Sequence, residues 1–176
     1  SLDPALLIER GVSFLHVAGY FVLPGLLERG FARPLARLRE AGIHTSLDVV
    51  FSPAMNQPEA LFALLPHLDL FTCNRYEAEL ISGSAEPRSA AAFLHDRGAR
   101  AVVIKLGPAG CWLSEDGKGR EIPAPQVDRP VDTTGAGDAF HGAFAAGLSK
   151  KMDWPALLRY ASAAAALTCT RYGAPP

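Results

Sequence analysis

The residues best equipped for chemistry lie in one run, Val131-Asp132-Thr133-Thr134-Gly135-Ala136-Gly137-Asp138-Ala139-Phe140. A loop of small residues, Thr134 to Gly137, has an acid on each side of it. Behind it, Ala139, Phe140, Ala143, Phe144 and Leu148 recur at the spacing of one helix face. A glycine loop that opens a helix leaves the first backbone N–H groups without intrahelical acceptors, with the positive end of the helix dipole behind them. That arrangement suits a phosphate or a developing anion. Asp138 stands at the helix start, where an acceptor side chain can cap the helix. The same position also holds a carboxylate beside a bound anion, as a general base requires.

Two common phosphate-binding patterns are excluded. The chain has no Gly-x-x-x-x-Gly-Lys-Ser/Thr, and the residue three after Gly137 is Phe140, not the glycine of the dinucleotide fingerprint. The full string Asp-Thr-Thr-Gly-Ala-Gly-Asp-Ala-Phe instead resembles, residue for residue, the C-terminal signature of the ribokinase-like (PfkB) family of carbohydrate and nucleoside kinases. The resemblance implies ATP and Mg²⁺ as co-substrate and cofactor. It makes Asp138 the base that takes a proton from the substrate hydroxyl, and Gly135, Ala136 and Gly137 the anion hole for the transferred phosphoryl group.

The elements that must carry this loop can be read in order. Asp3 and Pro4 start a helix that runs to Gly11, and Phe14 to Gly19 reads as a short buried strand in which His16 is a hydrogen-bonded core residue. Pro24 to Gly42 has an apolar face of Leu26, Leu27, Phe31, Leu35 and Leu38, and Pro34 is expected to break it into two helical pieces. A strand over Ile43 to Val50 ends near Asp48. A helix over Gln57 to Leu65, a strand over Asp69 to Cys73 and a helix from Asn74 to Ile81 follow, then a helix over Ser89 to Arg97 and a buried strand over Ala101 to Lys105. This alternation predicts a mostly parallel sheet covered on both faces, with ligands beyond the carboxyl ends of the strands, where Asp48, Asn74, Glu77 and Lys105 fall. After Lys105 come two strands, Cys111 to Ser114 and Arg120 to Pro123, around a polar turn, and later an Ala-rich helix over Pro155 to Thr168. No internal repeat or long linker interrupts the chain, so residues 1–176 read as a single α/β domain with the three-layer ribokinase-like fold that the resemblance implies.

Three more stretches carry the resemblance, in the family's order. Asn74-x-x-Glu77 is similar to the motif that helps place hydrated magnesium and the phosphates; a carboxylate can hold water-clad magnesium at a distance. The same residues also form a helix capping box. Lys105-x-Gly107-x-x-Gly110 resembles the nucleotide-side turn, where Lys105 can reach phosphates as a point charge; on its own it is a plain hairpin. In the family the segment after the Ala-rich helix often holds a monovalent cation, K⁺ among the candidates, together with the first Asp of the signature. By that match Asp132, Thr134, Arg171 and Gly173 are the cation candidates, mostly through main-chain oxygens, and Ser162 stands where many members carry an adenine-contacting Asn.

Composition bounds the rest. The chain has 176 residues, 49% apolar and 20% charged, with a net charge of −1, a globular composition without the basic excess of a nucleic-acid partner. No apolar run is long enough for a membrane span, and Cys73, Cys111 and Cys169 read as reduced core thiols, so a cytoplasmic location is expected. The chain contains no Gly-Gly pair, whereas the family carries a Gly-Gly signature, most sugar contacts and a β-sheet lid in an N-terminal portion. The expectation is therefore the nucleotide-binding and catalytic half of a kinase that phosphorylates a sugar hydroxyl, a homodimer in its full-length form. The alternatives are a nucleoside kinase acting on a substrate such as adenosine, and a nucleotide-binding fragment without turnover.

Overall fold

A computed structural model describes residues 3–56 and 58–173. Six strands form one sheet in sequence order: β1 (Phe14–Val17), β2 (His44–Asp48), β3 (Leu70–Asn74), β4 (Ala101–Lys105), β5 (Cys111–Glu115) and β6 (Lys118–Ile122). The first four pair in parallel. Hydrogen bonds from Leu106 to Gly110 and from Asp116 to Arg100 join the two ends of β4 and β5, which therefore run antiparallel. The turn into β6 is Asp116-Gly117, both with positive φ (47° and 78°), as a two-residue hairpin requires.

The chain divides into two compact units, one of Ser1–Lys105 with Trp112–Arg120 and one of Leu106–Cys111 with Glu121–Pro176. In the first, helices alternate with the parallel strands. α1 (Pro4–Glu9) is capped by Asp3, and α2 (Pro24–Arg29) and α3 (Ala32–Glu40) separate at Gly30. The break falls four residues before Pro34. Pro34 lies in the first turn of α3, where a missing N–H costs no hydrogen bond, and Gly30 takes the positive φ of 69° that ends α2. The helix expected over residues 57–65 is only α4 (Glu59–Phe62) and a 3₁₀ turn at Leu65–His67; Gln57 lies outside the described residues. α5 (Arg75–Ser82) and α6 (Pro87–His95) follow β3, with α5 packed on β3 and α6 on β4.

Leu35, Leu38, Leu47, Phe71, Val102 and Ile104 form the centre of this unit's core. Pleat alternation places Leu47, Phe71 and Val102 in one cross-strand row on one face of the sheet. The polar residues Ser46, Asp48, Thr72, Asn74 and Lys105 take the other face. In the second unit, α7 (Ala136–Ser149) and α8 (Trp154–Thr168) pack against each other. Phe144 meets Trp154 at 5.7 Å between ring centroids, and Gly147 makes room for Leu157. No helix among the described residues is long and apolar enough to cross a membrane.

Gly119 is where the β5–β6 hairpin is least tolerant. A Cβ there would stand 2.0 Å from Cζ2 of the buried Trp112 ring, over which the Arg88 guanidinium sits at 5.4 Å. Gly119→Ala is expected to destabilise the protein by about 1–3 kcal/mol, as overpacking does. Urea unfolding followed by tryptophan fluorescence checks this, and an unchanged midpoint would contradict it.

Candidate functional site

The first unit gathers its polar groups by register. His16 pairs with Ser46, Asp48 with Thr72, and Asn74 with Lys105, so polar residues near the carboxyl ends of four parallel strands share one face of the sheet. Within this row His16 Nδ1 is 2.7 Å from Ser46 Oγ, the hydrogen-bonded core histidine expected. Burial pushes the His16 imidazole below its usual pKa, opposed by the charge of Asp48 and assisted by that of Lys105. Asp48, only 7% exposed, accepts the Gly19 N–H through Oδ1 at 2.6 Å and faces Lys105 Nζ through Oδ2 at 3.9 Å. Gly19 has a φ of 66°, and a Cβ there would stand 3.1 Å from Val22 Cγ2 and 3.4 Å from Val50 Cγ2, so a larger residue would be strained at that corner.

Asn74 and Glu77 form a complete capping box at the start of α5. Asn74 Oδ1 accepts the Glu77 N–H at 2.9 Å, and Glu77 Oε2 accepts the Asn74 N–H at 2.8 Å. Glu77 is 4% exposed. Burial raises its carboxyl above the usual range; the backbone N–H groups of Asn74 and Phe51 and the charge of Lys105 work against that rise, and Asp48 adds to it. Both readings of the motif are thus compatible. The box caps the helix, and the carboxylate keeps lone pairs beyond the two backbone donors. A nearby cation would offset the burial of its charge, so the donor set fits hydrated magnesium. Cys73, beside it in sequence, is buried and its thiol is pushed far up by burial, which leaves it unreactive.

The second unit holds the signature loop. Gly135 is the N-cap of α7 with a φ of 76°, and no side chain caps this helix. Ala136 donates its N–H to Thr133 O at 3.2 Å, whereas the N–H groups of Gly137 and Asp138 have no acceptor among the described residues. Asp138 lies in the first turn, exposed, without a hydrogen-bond or ion-pair partner among the described residues. The loop therefore offers two free backbone donors and a free carboxylate at the positive end of a fourteen-residue helix. That donor set fits a phosphate.

Asp132 holds the loop in place. Its Oδ1 accepts the Thr134 N–H (2.9 Å) and Oγ1–H (2.7 Å), and its Oδ2 accepts the Gly173 N–H (2.9 Å). The Val131 and Asp132 N–H groups both reach Cys169 O at the end of α8. These bonds, the Thr134 N–H first, keep the Asp132 carboxyl below the usual aspartate range. Three donors already converge on a carboxylate that has about four lone-pair positions. Asp132, Thr134 and Gly173 are thus joined in one knot of hydrogen bonds, in which Arg171 takes no part; its N–H goes to Thr168 O at 3.4 Å.

Other predicted residues have local roles. Gly110 has a φ of 95°, and a Cβ there would stand 2.1 Å from Ile122 O and 2.6 Å from Ala124 N, so the chain's own backbone requires glycine at this position. Gly107, with a φ of 62°, faces open space. Ser162 is buried and hydrogen-bonds Cys111, whose thiol burial pushes up to about 12. The contacts of Asp48 with Gly19 and Lys105 had no local signal beyond the position of Asp48 at a strand end.

Comparison with known proteins agrees with this geometry. The pattern described as pfkB family carbohydrate kinase matches residues 8–176. The chain belongs to the pfkB family of carbohydrate kinases. It is 38% identical to a ribokinase of Haemophilus influenzae over 133 residues, 72% of this chain and 42% of that protein. The structure of Arabidopsis thaliana ribokinase complexed with ribose and ATP superposes with a TM-score of 0.82 at 28% identity, over 98% of this chain and 55% of that one. Aminoimidazole riboside kinase from Salmonella enterica, complexed with aminoimidazole riboside and an ATP analog, superposes with a TM-score of 0.78 at 28% identity, over 92% and 57%. The chain thus spans about half the length of these relatives, and its sheet and helices are those of their fold.

The Asp132 knot can be tested by amide NMR. Asp132→Asn keeps an oxygen for Thr134 and replaces the second acceptor by an NH₂ group, so the Gly173 amide is expected to lose its protection while the Thr134 amide keeps it. In the unmodified protein a depressed carboxyl pKa leaves the acceptor charged until the pH falls below the usual 3.8. The contribution of the knot is therefore present above that pH and lost only beneath it. The two amide signals should move together in that low window; movement at pH 4–5 would contradict the assignment.

Proposed function

We propose that this chain supplies the nucleotide-binding and catalytic half of an ATP-dependent kinase that phosphorylates a hydroxyl of a sugar or sugar derivative. The observation that carries the reading is the uncapped start of α7, where the free Asp138 carboxylate stands beside the unpaired N–H groups of Gly137 and Asp138. Family membership and the ribokinase likeness support the class of reaction.

In this reading Asp138 accepts the proton of the substrate hydroxyl as its oxygen attacks the γ-phosphorus. A new O–P bond forms, the bond from phosphorus to the β–γ bridging oxygen breaks, and ADP leaves. The free N–H groups of Gly137 and Asp138 bind the phosphoryl oxygens as their charge is redistributed, whereas the Ala136 N–H, expected in the anion hole, is taken by Thr133 O. Lys105 adds a point charge for the phosphates. Glu77, aided by Asn74, would hold magnesium through its waters; the ion, when bound, neutralises phosphate charge. Gly135 keeps its αL turn so that the donors face outward, and Asp132 keeps the loop from swinging. A nucleoside kinase is the second reading, favoured by the likeness to an enzyme complexed with aminoimidazole riboside.

Titration calorimetry of ATP–Mg against the chain, followed by an ADP-release assay over a panel of sugars and nucleosides, tests the proposal. Turnover on a sugar supports it, turnover on nucleosides alone favours the second reading, and binding without turnover on any substrate identifies a nucleotide-binding fragment. The absence of any ATP binding would overturn it. Where turnover is found, Asp138→Asn should lower kcat by about 10²–10⁴-fold, the range of general-base catalysis, with ATP affinity largely kept. Glu77→Gln should leave thermal unfolding nearly unchanged, because the amide oxygen can still accept in the capping box. It should weaken ATP binding only when Mg²⁺ is present, and an equal loss in EDTA would remove Glu77 from the metal role.

A further inference from the structure

Two of the contacts of Asp48 differ in kind. Its Oδ1 is tied to the Gly19 N–H at 2.6 Å, which fixes the buried carboxylate to the end of β1. Its Oδ2 faces Lys105 Nζ at 3.9 Å. A charge-assisted hydrogen bond between such groups closes to about 2.7–2.9 Å. At 3.9 Å the pair has Coulomb attraction without a formed hydrogen bond. The two residues are also not strand neighbours: Asp48 ends β2 and Lys105 ends β4, with β3 between them, so the lysine stem spans an intervening strand to bring its charge to the aspartate. Lys105 is partly exposed, with 21% of its side chain accessible against 9% for Asp48. The ammonium can therefore move, and the tethered carboxylate cannot follow it.

We infer that Asp48 is the resting counter-ion of Lys105, and that nucleotide phosphates compete with Asp48 for the lysine. The inference rests on the proposed phosphate role of Lys105. A phosphate offers the ammonium short, charge-assisted hydrogen bonds that the 3.9 Å pair lacks. Once Lys105 turns to the phosphate, the aspartate is left charged near a polyanion. The pair then acts as a charge filter. It disfavours bare polyphosphate and favours nucleotide whose charge is partly neutralised by a bound divalent cation. Asp48 is on this account a specificity-determining residue that works through Lys105, not a group that touches the reacting atoms.

The test is Asp48→Asn in the whole chain, which keeps an oxygen for the Gly19 N–H and removes the charge facing Lys105. Binding of tripolyphosphate and of ATP is measured in EDTA and again with Mg²⁺, by titration calorimetry. In EDTA the variant should bind both anions about tenfold tighter than the unmodified chain, the scale of one charge removed a few ångströms away at intermediate dielectric. The gain should shrink when Mg²⁺ is present, and it should fall to twofold or less when Lys105→Met is combined with Asp48→Asn. Affinity that is unchanged or weaker in the folded variant overturns the inference while leaving the kinase reading intact, provided that the unmodified chain binds ATP–Mg. Binding by neither protein under any condition overturns both. If Asp48→Asn does not fold, the carboxylate ¹³C signal of Asp48 in the unmodified chain is followed as tripolyphosphate is added. A shift on saturation marks release of Lys105, and a signal that does not move overturns the inference.

Discussion

In a parallel sheet the register of each strand pair decides which side chains share a face and how the strand ends line up. Here that constraint governs the first unit. Asp48, Asn74 and Lys105 come from strands separated by whole helices, yet the pairing of β2 with β3 and of β3 with β4 puts them on one face, Asn74 level with Lys105 and Asp48 level with Thr72. The opposite face is filled by Leu47, Phe71 and Val102, so a slip of one residue would turn these into the polar row and bury the charges in the core. Core packing and placement of the polar groups are therefore two consequences of a single register.

The second unit solves a different problem, holding a loop still without covering it. A helix start with free N–H groups is useful only if no side chain of its own caps it, and Gly135 meets that condition by having no side chain to offer. The rigidity that a cap would have supplied comes from one step earlier in the chain. Asp132 takes three donors, two from Thr134 and one from Gly173, and the carbonyl of Cys169 takes two N–H groups from the loop's approach. The loop is thus fixed at its base and open at its tip.

Several residues have a structural role that is compatible with the proposed ligand chemistry, and for that reason a motif alone could not say which role was theirs. Asn74 and Glu77 close a capping box whether or not a metal is bound. Gly110 belongs to a turn that resembles a nucleotide contact, but the backbone at residues 122–124 already occupies the position its side chain would take. Ser162 turns to Cys111 in the same unit. Glycine and serine are chosen for small size in packing as often as for contact with ligands, and only the neighbours distinguish the two.

What the sequence determined by itself was local and periodic. The alternation of strands and helices, the Asp3 and Asn74 helix starts, the polar hairpin turn and the glycine loop before α7 all depend on residues within one or two helical turns, and all stand where the pattern put them. Even the misplaced break in the second helical segment was a local matter: Pro34 tolerates a first turn, and Gly30 supplies the left-handed end. Tertiary structure decided what depends on partners distant in the chain. Asp48 meets Gly19 across 29 residues, and Asp132 meets Gly173 across 41. No periodicity encodes such pairs, because they exist only after the sheet register and the α7–α8 packing have brought distant backbone together. That is why the form of the loop could be read from ten residues, whereas the charge environment of Lys105 could not.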